Sequence, residues 1–182
     1  MKHFLKIGEF DPTPTLVALA RQPELWDTET LRTRYPESPH HACSDILLFF
    51  NEIPDDPAEL LNVADDKDVR PYPAWDKLPQ VRPIVFDLMR RVEGVRLGRL
   101  MITRLPPGKT IPPHQDQGAP ASYYERYQLP LQSLPGCVFR AADEAVQMRS
   151  GEVWRFDNQQ THSVENFSAD DRIALIADIR SE

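Results

Sequence analysis

The second half of the chain consists of short apolar or alternating segments that are separated by turn sequences. From Val95 onward the sequences PPG, LPG, RSG and SADD interrupt these segments. Alternation with a period of two is typical of a strand that buries one face, and a series of short strands joined by turns favours a sandwich or a barrel. This pattern constrains residues 95–182 to a mainly β fold.

The first 94 residues carry the sequence features of helices. Thr13-Pro14 and Asp56-Pro57 each combine a capping residue with a proline that suits the first helical turn. The apolar residues between Pro83 and Val92 recur at helical spacing, and Gly94 is a typical helix stop. We therefore predict a helical region that precedes the β segments.

One segment of the first half departs from the helical pattern. The run SDILLFF, from Ser44 to Phe50, is a compact apolar stretch of strand length. No repeat or low-complexity linker separates the two halves of the chain. We expect a single domain of residues 1–182, in which a helical and mixed part, residues 1–94, packs on a β core formed by residues 95–182.

Composition disfavours several classes of protein. No apolar run approaches the ~20 residues of a membrane-spanning helix, and the first residues lack the apolar core of a signal peptide. A formal net charge of -7 without a basic patch disfavours nucleic-acid binding. Cys43 and Cys137 have no metal-ligand spacing, so neither a structural disulfide nor a cysteine-ligated zinc site is expected. We expect a cytoplasmic protein with no nucleic-acid or membrane partner, and the sequence does not indicate its oligomeric state.

Three residues have the types and spacing of a metal site. His114 and Asp116 are two residues apart in IPPHQDQG, and residues two apart in an extended segment project from the same face. A second strand-like segment, GEVWRFDNQQTHSVEN, brings His162. Two histidines and one carboxylate form the facial triad that binds iron in non-haem Fe(II) oxygenases.

The residues alone also permit less specific interpretations. A His-x-Asp pair occurs in ordinary turns, where the aspartate bonds to backbone. Arg172, ten residues after His162, has the side chain best suited to bidentate binding of a carboxylate, but it could equally pair with Asp170 and Asp171 at the surface.

Four segments in this order resemble the aspartyl/asparaginyl β-hydroxylase family of Fe(II)- and 2-oxoglutarate-dependent oxygenases. They are LPPGKTIPPHQD, RYQLPL, GEVWRFDNQQTHSVEN and DRIALIADI, and the resemblance extends roughly from Leu97 to Ile179. It implies a double-stranded β-helix, or cupin-like jelly-roll barrel, with a helical region before it. It also implies that His114, Asp116 and His162 are the catalytic iron ligands, and that Arg172 binds the far carboxylate of 2-oxoglutarate.

Two positions in RYQLPL concern the cosubstrate. Arg126 and Gln128 share one face of a strand, opposite Tyr127, Leu129 and Leu131. Family members usually have histidine where this chain has Gln128, and that position contributes to 2-oxoglutarate binding. Glutamine can donate a hydrogen bond to a carboxylate but adds no positive charge. We therefore expect Arg126 and Gln128 to contact the cosubstrate, with Arg126 making the larger contribution.

The resemblance implies hydroxylation of an amino-acid side chain of the Asp, Asn or Pro kind, free or in a peptide, with release of succinate and carbon dioxide from 2-oxoglutarate and O2. Halogenating relatives replace the metal carboxylate by a small residue, whereas this chain keeps Asp116. The segment QGAPASYYE is expected to be an extended loop that shapes the substrate entrance. His40 and His41 are adjacent, so at most one of them would contact the substrate.

Two rival functions remain open at this level. One is a non-catalytic, metal-binding cupin-like sensor or binding protein. The other is a metal-dependent cupin enzyme that uses no oxoacid, although such enzymes usually add a third histidine or a glutamate to the ligands. Arg172 distinguishes a 2-oxoglutarate oxygenase from both rivals, because neither rival needs a carboxylate-binding arginine at that position.

Overall fold

The structure, a computed structural model, describes residues 1–54 and 66–182. In this part of the chain the strands form two antiparallel sheets. The larger sheet has the order β1-β9-β6-β11-β4-β2-β3, and the smaller sheet has the order β5-β10-β7-β8. The strands are β1 (Phe4–Glu9), β2 (Ser44–Phe50), β3 (Arg70–Pro71), β4 (Gly94–Leu105), β5 (Lys109–His114), β6 (Glu125–Gln132), β7 (Cys137–Ala141), β8 (Glu144–Val146), β9 (Glu152–Phe156), β10 (His162–Asn166) and β11 (Arg172–Ser181).

Short helices flank the sheets. The described helices are α1 (Thr13–Ala20), α2 (Leu31–Arg34), α3 (Ala74–Lys77), α4 (Val81–Arg91) and α5 (Ala119–Tyr123), with a 3-10 turn at Pro23–Leu25. The longest of them, α4, buries Val81, Val85 and Leu88 at helical spacing, as the apolar pattern predicts. No helix in the described residues is both long and apolar enough to cross a membrane.

The larger sheet is covered on both faces. On one face, Leu100 and Leu175 belong to an apolar core that includes Leu19 of α1 and Val85 of α4. A second core lies between the two sheets. It joins Phe4, Leu105, Trp154 and Phe156 of the larger sheet to Ile111, Phe139 and Val164 of the smaller one. Two facing antiparallel sheets with helices outside one of them form the predicted double-stranded β-helix, so the predicted fold class is confirmed.

The inner face of the larger sheet also carries polar residues. Asp45 of β2 pairs in register with Thr103 of β4, and Asp178 of β11 pairs with Arg126 of β6. Because side chains alternate between faces, the neighbours of these residues can belong to the apolar core behind the sheet while the polar groups point between the sheets. Of these polar residues, Thr103 and Arg126 line the cavity that is described below.

The structure differs from the sequence predictions at several boundaries. The N-terminal residues form β1, which pairs with β9 at the edge of the larger sheet and was not predicted. Helix α4 ends at Arg91, and the left-handed residue after it is Glu93, with φ of 53°. Gly94 instead begins β4, where a Cβ atom would lie 2.6 Å from Ile179 Cγ2, so close packing and not a helix stop requires glycine there.

Other predicted elements have mixed outcomes. The strand from Ser44 to Phe50 is confirmed as β2. Helix α1 begins at Thr13 itself, which is therefore not its cap. The segment QGAPASYYE contains helix α5, so the prediction of an extended loop was wrong. The predicted helix start at Asp56-Pro57 lies outside the described residues.

Candidate active site

Three predicted ligands meet where β5 and β10 pair. His114 is the last residue of β5, His162 is the first residue of β10, and the two are paired in register. Asp116 lies two residues beyond β5, where its backbone N–H donates to the carbonyl of Asn158 over 3.4 Å. One ligand atom from each of the three side chains lies within 4.8 Å of the others. The segment GEVWRFDNQQTHSVEN, residues 151–166, contains β9 and β10, which lie in different sheets. His162 follows the turn between these two strands and lies in the site.

Both imidazole rings are fixed by backbone carbonyls. His114 Nδ1 lies 2.8 Å from the carbonyl oxygen of Pro112, and His162 Nδ1 lies 2.9 Å from that of Gln160. A carbonyl can only accept, so each Nδ1 carries the proton in a neutral ring and each Nε2 presents its lone pair. His114 Nε2 is buried and has no hydrogen-bond partner in the described residues. Burial lowers the pKa of His162, which favours the neutral ring that a metal requires.

The two carboxylate oxygens of Asp116 face different partners. Oδ1 lies 3.9 Å from His114 Nε2 and 3.8 Å from His162 Nε2. Oδ2 accepts a hydrogen bond from Arg126 Nη1 over 2.6 Å. Burial opposes the charged carboxylate, but the charge of Arg126 acts against burial, and the pKa of Asp116 is lowered. Asp116 is therefore ionised and oriented with one oxygen directed at the histidines.

Arg126 is held between two carboxylates. In addition to Asp116, it binds Asp178 in a bidentate pair, with Nε to Oδ1 and Nη2 to Oδ2 both at 2.7 Å. Burial alone would lower the pKa of Arg126, but the two carboxylates outweigh it and raise the pKa. The charge of Arg126 is thus compensated within the protein, in surroundings unlike those expected for a cosubstrate ligand.

Arg172 has different surroundings. Its side chain is buried, and its guanidinium donates from Nη2 to Gln128 Oε1 over 3.3 Å and lies 5.9 Å from the centre of the Phe139 ring. No carboxylate of residues 1–54 or 66–182 forms an ion pair with it, and Asp171 lies near Arg104 instead, at 3.8 Å. The surface pairing left open by the sequence is therefore not observed. Burial lowers the pKa of Arg172, because little compensates its charge.

One cavity connects these groups. It has a volume of about 680 Å³, within the range of small-molecule sites. The inner faces of both sheets and the segment 31–40 form its walls. Its lining includes every predicted site residue, namely His114, Asp116, Arg126, Gln128, His162 and Arg172.

The segment 31–40 adds two residues to the cavity lining, of which Arg32 was not predicted. The other is His40, one of the two adjacent histidines of which at most one was expected to contact the substrate, and its ring lies edge-on to His114 with centroids 5.0 Å apart. His41 turns away and contacts the carbonyls of Thr33 and Pro36. The two histidines lie in a turn and not in a strand, although only one of them faces the site.

Asp178 and Gln160 were also missed. Asp178 had a detectable signal, because it is a charged residue within the apolar strand IALIADI and shares a face with Arg172. Gln160 contacts His162 through its backbone carbonyl, so the type of its side chain could not indicate this role in the sequence.

A comparison with known protein families shows to which family the chain belongs. The family described as aspartyl/asparaginyl beta-hydroxylase matches residues 61–182. The chain belongs to this family. The family consists of 2-oxoglutarate-dependent Fe(II) oxygenases, so the predicted enzyme class and its cofactors, Fe(II) and 2-oxoglutarate, are confirmed. No curated protein matches the chain.

Solved structures support the fold of this family member. A prolyl hydroxylase from Trichoplax adhaerens, in complex with a hypoxia inducible factor peptide, has a TM-score of 0.63 at 13% identity, covering 98% of this chain and 84% of that one. The non-heme alpha ketoglutarate dependent epimerase SnoN from nogalamycin biosynthesis has a TM-score of 0.59 at 14% identity, covering 98% and 78%. A 2OG-Fe(II) oxygenase family protein from Burkholderia pseudomallei has a TM-score of 0.53 at 19% identity, covering 90% and 80%.

Proposed function

We propose that this family member is a hydroxylase that binds Fe(II) through His114, Asp116 and His162 and acts on an amino-acid side chain. The observation that carries the proposal is the convergence of one ligand atom from each of the three side chains within 4.8 Å, with Asp116 Oδ1 3.9 Å from His114 Nε2 and 3.8 Å from His162 Nε2. The buried Nε2 of His114, which has no hydrogen-bond partner among the described residues, fits this set, because such an atom is costly unless a ligand binds it. Two neutral imidazoles and one carboxylate on one side match Fe(II) in oxygenases.

The protein orients these ligands before any metal arrives. The carbonyls of Pro112 and Gln160 fix the tautomer and the angle of each ring. Arg126 holds Asp116 Oδ2, which leaves Oδ1 for the metal. We therefore assign Arg126 to positioning of Asp116 in place of the cosubstrate contact suggested by the sequence.

Arg172 is the residue that we assign to 2-oxoglutarate. Its guanidinium is buried in the same cavity as the three ligands, and within residues 1–54 and 66–182 its one hydrogen-bond partner is the neutral Gln128. A dicarboxylate whose far end reaches Arg172 would compensate this charge through charge-assisted hydrogen bonds. Gln128 would then orient Arg172 through its oxygen, with its amide available as a second donor.

When bound, iron and 2-oxoglutarate supply the activation of O2 that inserts oxygen into a C–H bond and releases succinate and carbon dioxide. The cavity walls orient the substrate and limit access of water. Retention of Asp116 favours hydroxylation over halogenation, because the carboxylate fills the position that a halide would need. The substrate is proposed to be of the Asp, Asn or Pro kind, free or in a peptide. Arg172 is buried and has no carboxylate partner within residues 1–54 and 66–182, which disfavours the sensor alternative, because a sensor does not need such a costly charge.

An anaerobic titration tests the proposal. Purified protein is mixed with Fe(II) and 2-oxoglutarate, and the metal-to-ligand charge-transfer absorption is recorded before O2 is admitted and succinate is measured. We expect the absorption band, followed by succinate formation. The same measurements on Asp116→Ala should show neither at the wild-type level, because one of three metal ligands is gone.

A surface variant provides the matched control. Asp87→Ala removes a carboxylate that pairs with Arg90 and Arg91 on α4, away from the cavity residues. It should retain the band and the succinate. A wild-type protein without the band, or succinate formation equal to that of Asp116→Ala, would refute the proposed function.

A further inference from the structure

We propose that Arg32 binds a carboxylate group of the substrate, at a position separate from Arg172. This inference rests on the proposed function, since it names a chemical group of the molecule that is hydroxylated. Two observations support the inference: the hydrogen bonds of the Arg32 guanidinium, and the position of Arg32 in the cavity wall.

The guanidinium of Arg32 is locked along one edge. Nε donates to Asp45 Oδ2 over 2.7 Å, and Nη2 donates to Asp45 Oδ1 over 2.8 Å. Nη2 also donates to Thr103 Oγ1 over 2.8 Å, and that hydroxyl donates onward to Asp45 Oδ1 over 2.8 Å. Asp45 and Thr103 are buried on adjacent strands, so they give Arg32 a rigid support. Such support is typical of a residue that must hold a defined orientation.

The other edge of the guanidinium remains available to a ligand. Nη1 carries two N–H donors, and it makes no hydrogen bond with any residue within 1–54 or 66–182. The Arg32 side chain is 14% exposed and lines the cavity. Nη1 is not among the fully buried atoms without a partner, so it is open to the cavity, where an oxygen atom of a ligand can accept its hydrogen bonds. The Arg32 site is thus prepared for an acceptor from the cavity.

The charge of the surroundings favours a carboxylate as that acceptor. The lining contains the guanidinium groups of Arg32, Arg99, Arg126 and Arg172, and Asp116 and Asp178 compensate the charge of Arg126. Of the acidic residues in the lining, Asp116 is engaged by Arg126, and Glu37 is exposed, where solvent screens its charge. Hydrogen bonds from a guanidinium to a carboxylate are stronger than those to a neutral oxygen.

Arg32 is also close to the candidate metal ligands. Arg32 and His40 both line the cavity from the segment 31–40, and after burial the charge of Arg32 is the largest cause that lowers the pKa of His40. The His40 ring in turn packs edge-on against His114. Arg32 and Arg172 share no hydrogen-bond partner, because one is supported by Asp45 and Thr103 and the other by Gln128. The cavity therefore offers two separate guanidinium groups for two different molecules.

Two sources of substrate carboxylate fit this site. A free amino acid presents its α-carboxylate, and a peptide presents the side chain of an aspartate. Both satisfy the proposal, since the recognised group is the same, and the experiment distinguishes them.

The test measures binding and turnover with matched pairs of probes. L-proline and L-asparagine are compared with their C-terminal amides, and blocked peptides that contain aspartate are compared with the same peptides containing asparagine. Binding to the protein loaded with Fe(II) and 2-oxoglutarate is measured anaerobically by calorimetry, and stimulation of succinate formation is measured with O2. We expect at least one probe with a carboxylate to bind and to stimulate, and its amide partner to bind about tenfold more weakly or worse.

The variant for this test removes both charges of the buried pair. Arg32→Gln alone would leave Asp45 buried without its cation and could unfold the protein, so it is combined with Asp45→Asn. The double variant should bind the carboxylate probe at least about tenfold more weakly while its 2-oxoglutarate affinity stays near that of the wild type. Arg91→Gln, at the exposed end of α4, is the arginine control and should change neither affinity. Circular dichroism verifies that each variant is folded.

Each outcome decides the inference. Equal binding of the amide partner, or unchanged carboxylate affinity in the folded double variant, overturns it. Failure of every carboxylate probe to bind also overturns it, and a retained charge-transfer band then leaves the proposed oxygenase standing. Absence of that band in the wild type defeats the proposed function, and with it the inference.

Discussion

Two arginines on adjacent strands of the same sheet have opposite surroundings. Arg126 on β6 is held by Asp116 and Asp178, and its pKa is raised. Arg172 on β11 has, in the part of the chain that the structure describes, only the amide of Gln128 as a hydrogen-bond partner, and burial lowers its pKa. A guanidinium held between two carboxylates of the protein, as Arg126 is, acts as a structural element, while a buried guanidinium without a counter-ion is costly until an anion binds. Residue type and strand position do not separate these two roles, but the partners do.

The largest expected difference concerns the stability of the metal-free protein. Arg126→Leu leaves two largely buried carboxylates without their cation and should lower the free energy of unfolding by about 3–5 kcal/mol. Arg172→Leu removes an uncompensated buried charge beside Phe139 and should leave the free energy of unfolding unchanged or raise it. Chemical denaturation without metal and cosubstrate measures both.

A double variant controls for lost packing. Combining Arg126→Leu with Asp178→Leu removes one of the stranded carboxylates and should recover part of the loss. Equal destabilisation by Arg126→Leu and Arg172→Leu would contradict the distinction between the two arginines.

The second difference concerns 2-oxoglutarate affinity. Arg172→Leu should weaken anaerobic binding of 2-oxoglutarate by about tenfold to a hundredfold, because charge-assisted hydrogen bonds to the far carboxylate are lost. Iron affinity should be retained, since Arg172 contacts none of the three ligands. Calorimetry with Fe(II) first and 2-oxoglutarate second separates the two affinities. An unchanged 2-oxoglutarate affinity would exclude Arg172 as the anchor.

A single isosteric change should make the surroundings of Arg172 resemble those of Arg126. Gln128→Glu places a carboxylate where Oε1 now lies 3.3 Å from Arg172 Nη2. We expect the internal ion pair to compete with 2-oxoglutarate and weaken its binding by about tenfold. Gln128→Leu, which adds no charge, is the control and should have a smaller effect. Stronger 2-oxoglutarate binding in Gln128→Glu would run against this account.

The smallest expected effect concerns Asp178, which supports the metal ligand Asp116 through Arg126. Asp178→Asn removes the bidentate support of Arg126 and loosens the orientation of Asp116, so Fe(II) affinity should fall, by less than about tenfold because Asp178 acts on the ligand only through Arg126. Equilibrium dialysis with Fe(II) measures this change, and 2-oxoglutarate affinity for the iron-loaded variant should stay constant. A variant with weaker 2-oxoglutarate binding but normal iron affinity would show that Asp178 and Arg126 serve the cosubstrate instead.

The sequence was informative wherever local spacing sufficed. Strand β2, helix α4 and the shared face of Arg126 and Gln128 follow from periodicity, and the structure contains each of them. Strand β1 could not be predicted with the same rules, because it is an edge strand whose pairing partner, β9, lies far along the chain. The helix within QGAPASYYE was missed for a related reason, since five residues are too few for a periodic signal.

The types and order of the chemical groups were determined by the sequence alone. It supplied His114, Asp116 and His162 and placed Arg172 on a strand with alternating faces. Only the tertiary structure decided which arginine has internal counter-ions. Asp178 and Asp116 meet Arg126 from two different segments, and Asp45 meets Arg32 from a third. The physical reason is that charge compensation depends on distances between segments remote in sequence, which the pairing of strands sets and local spacing does not.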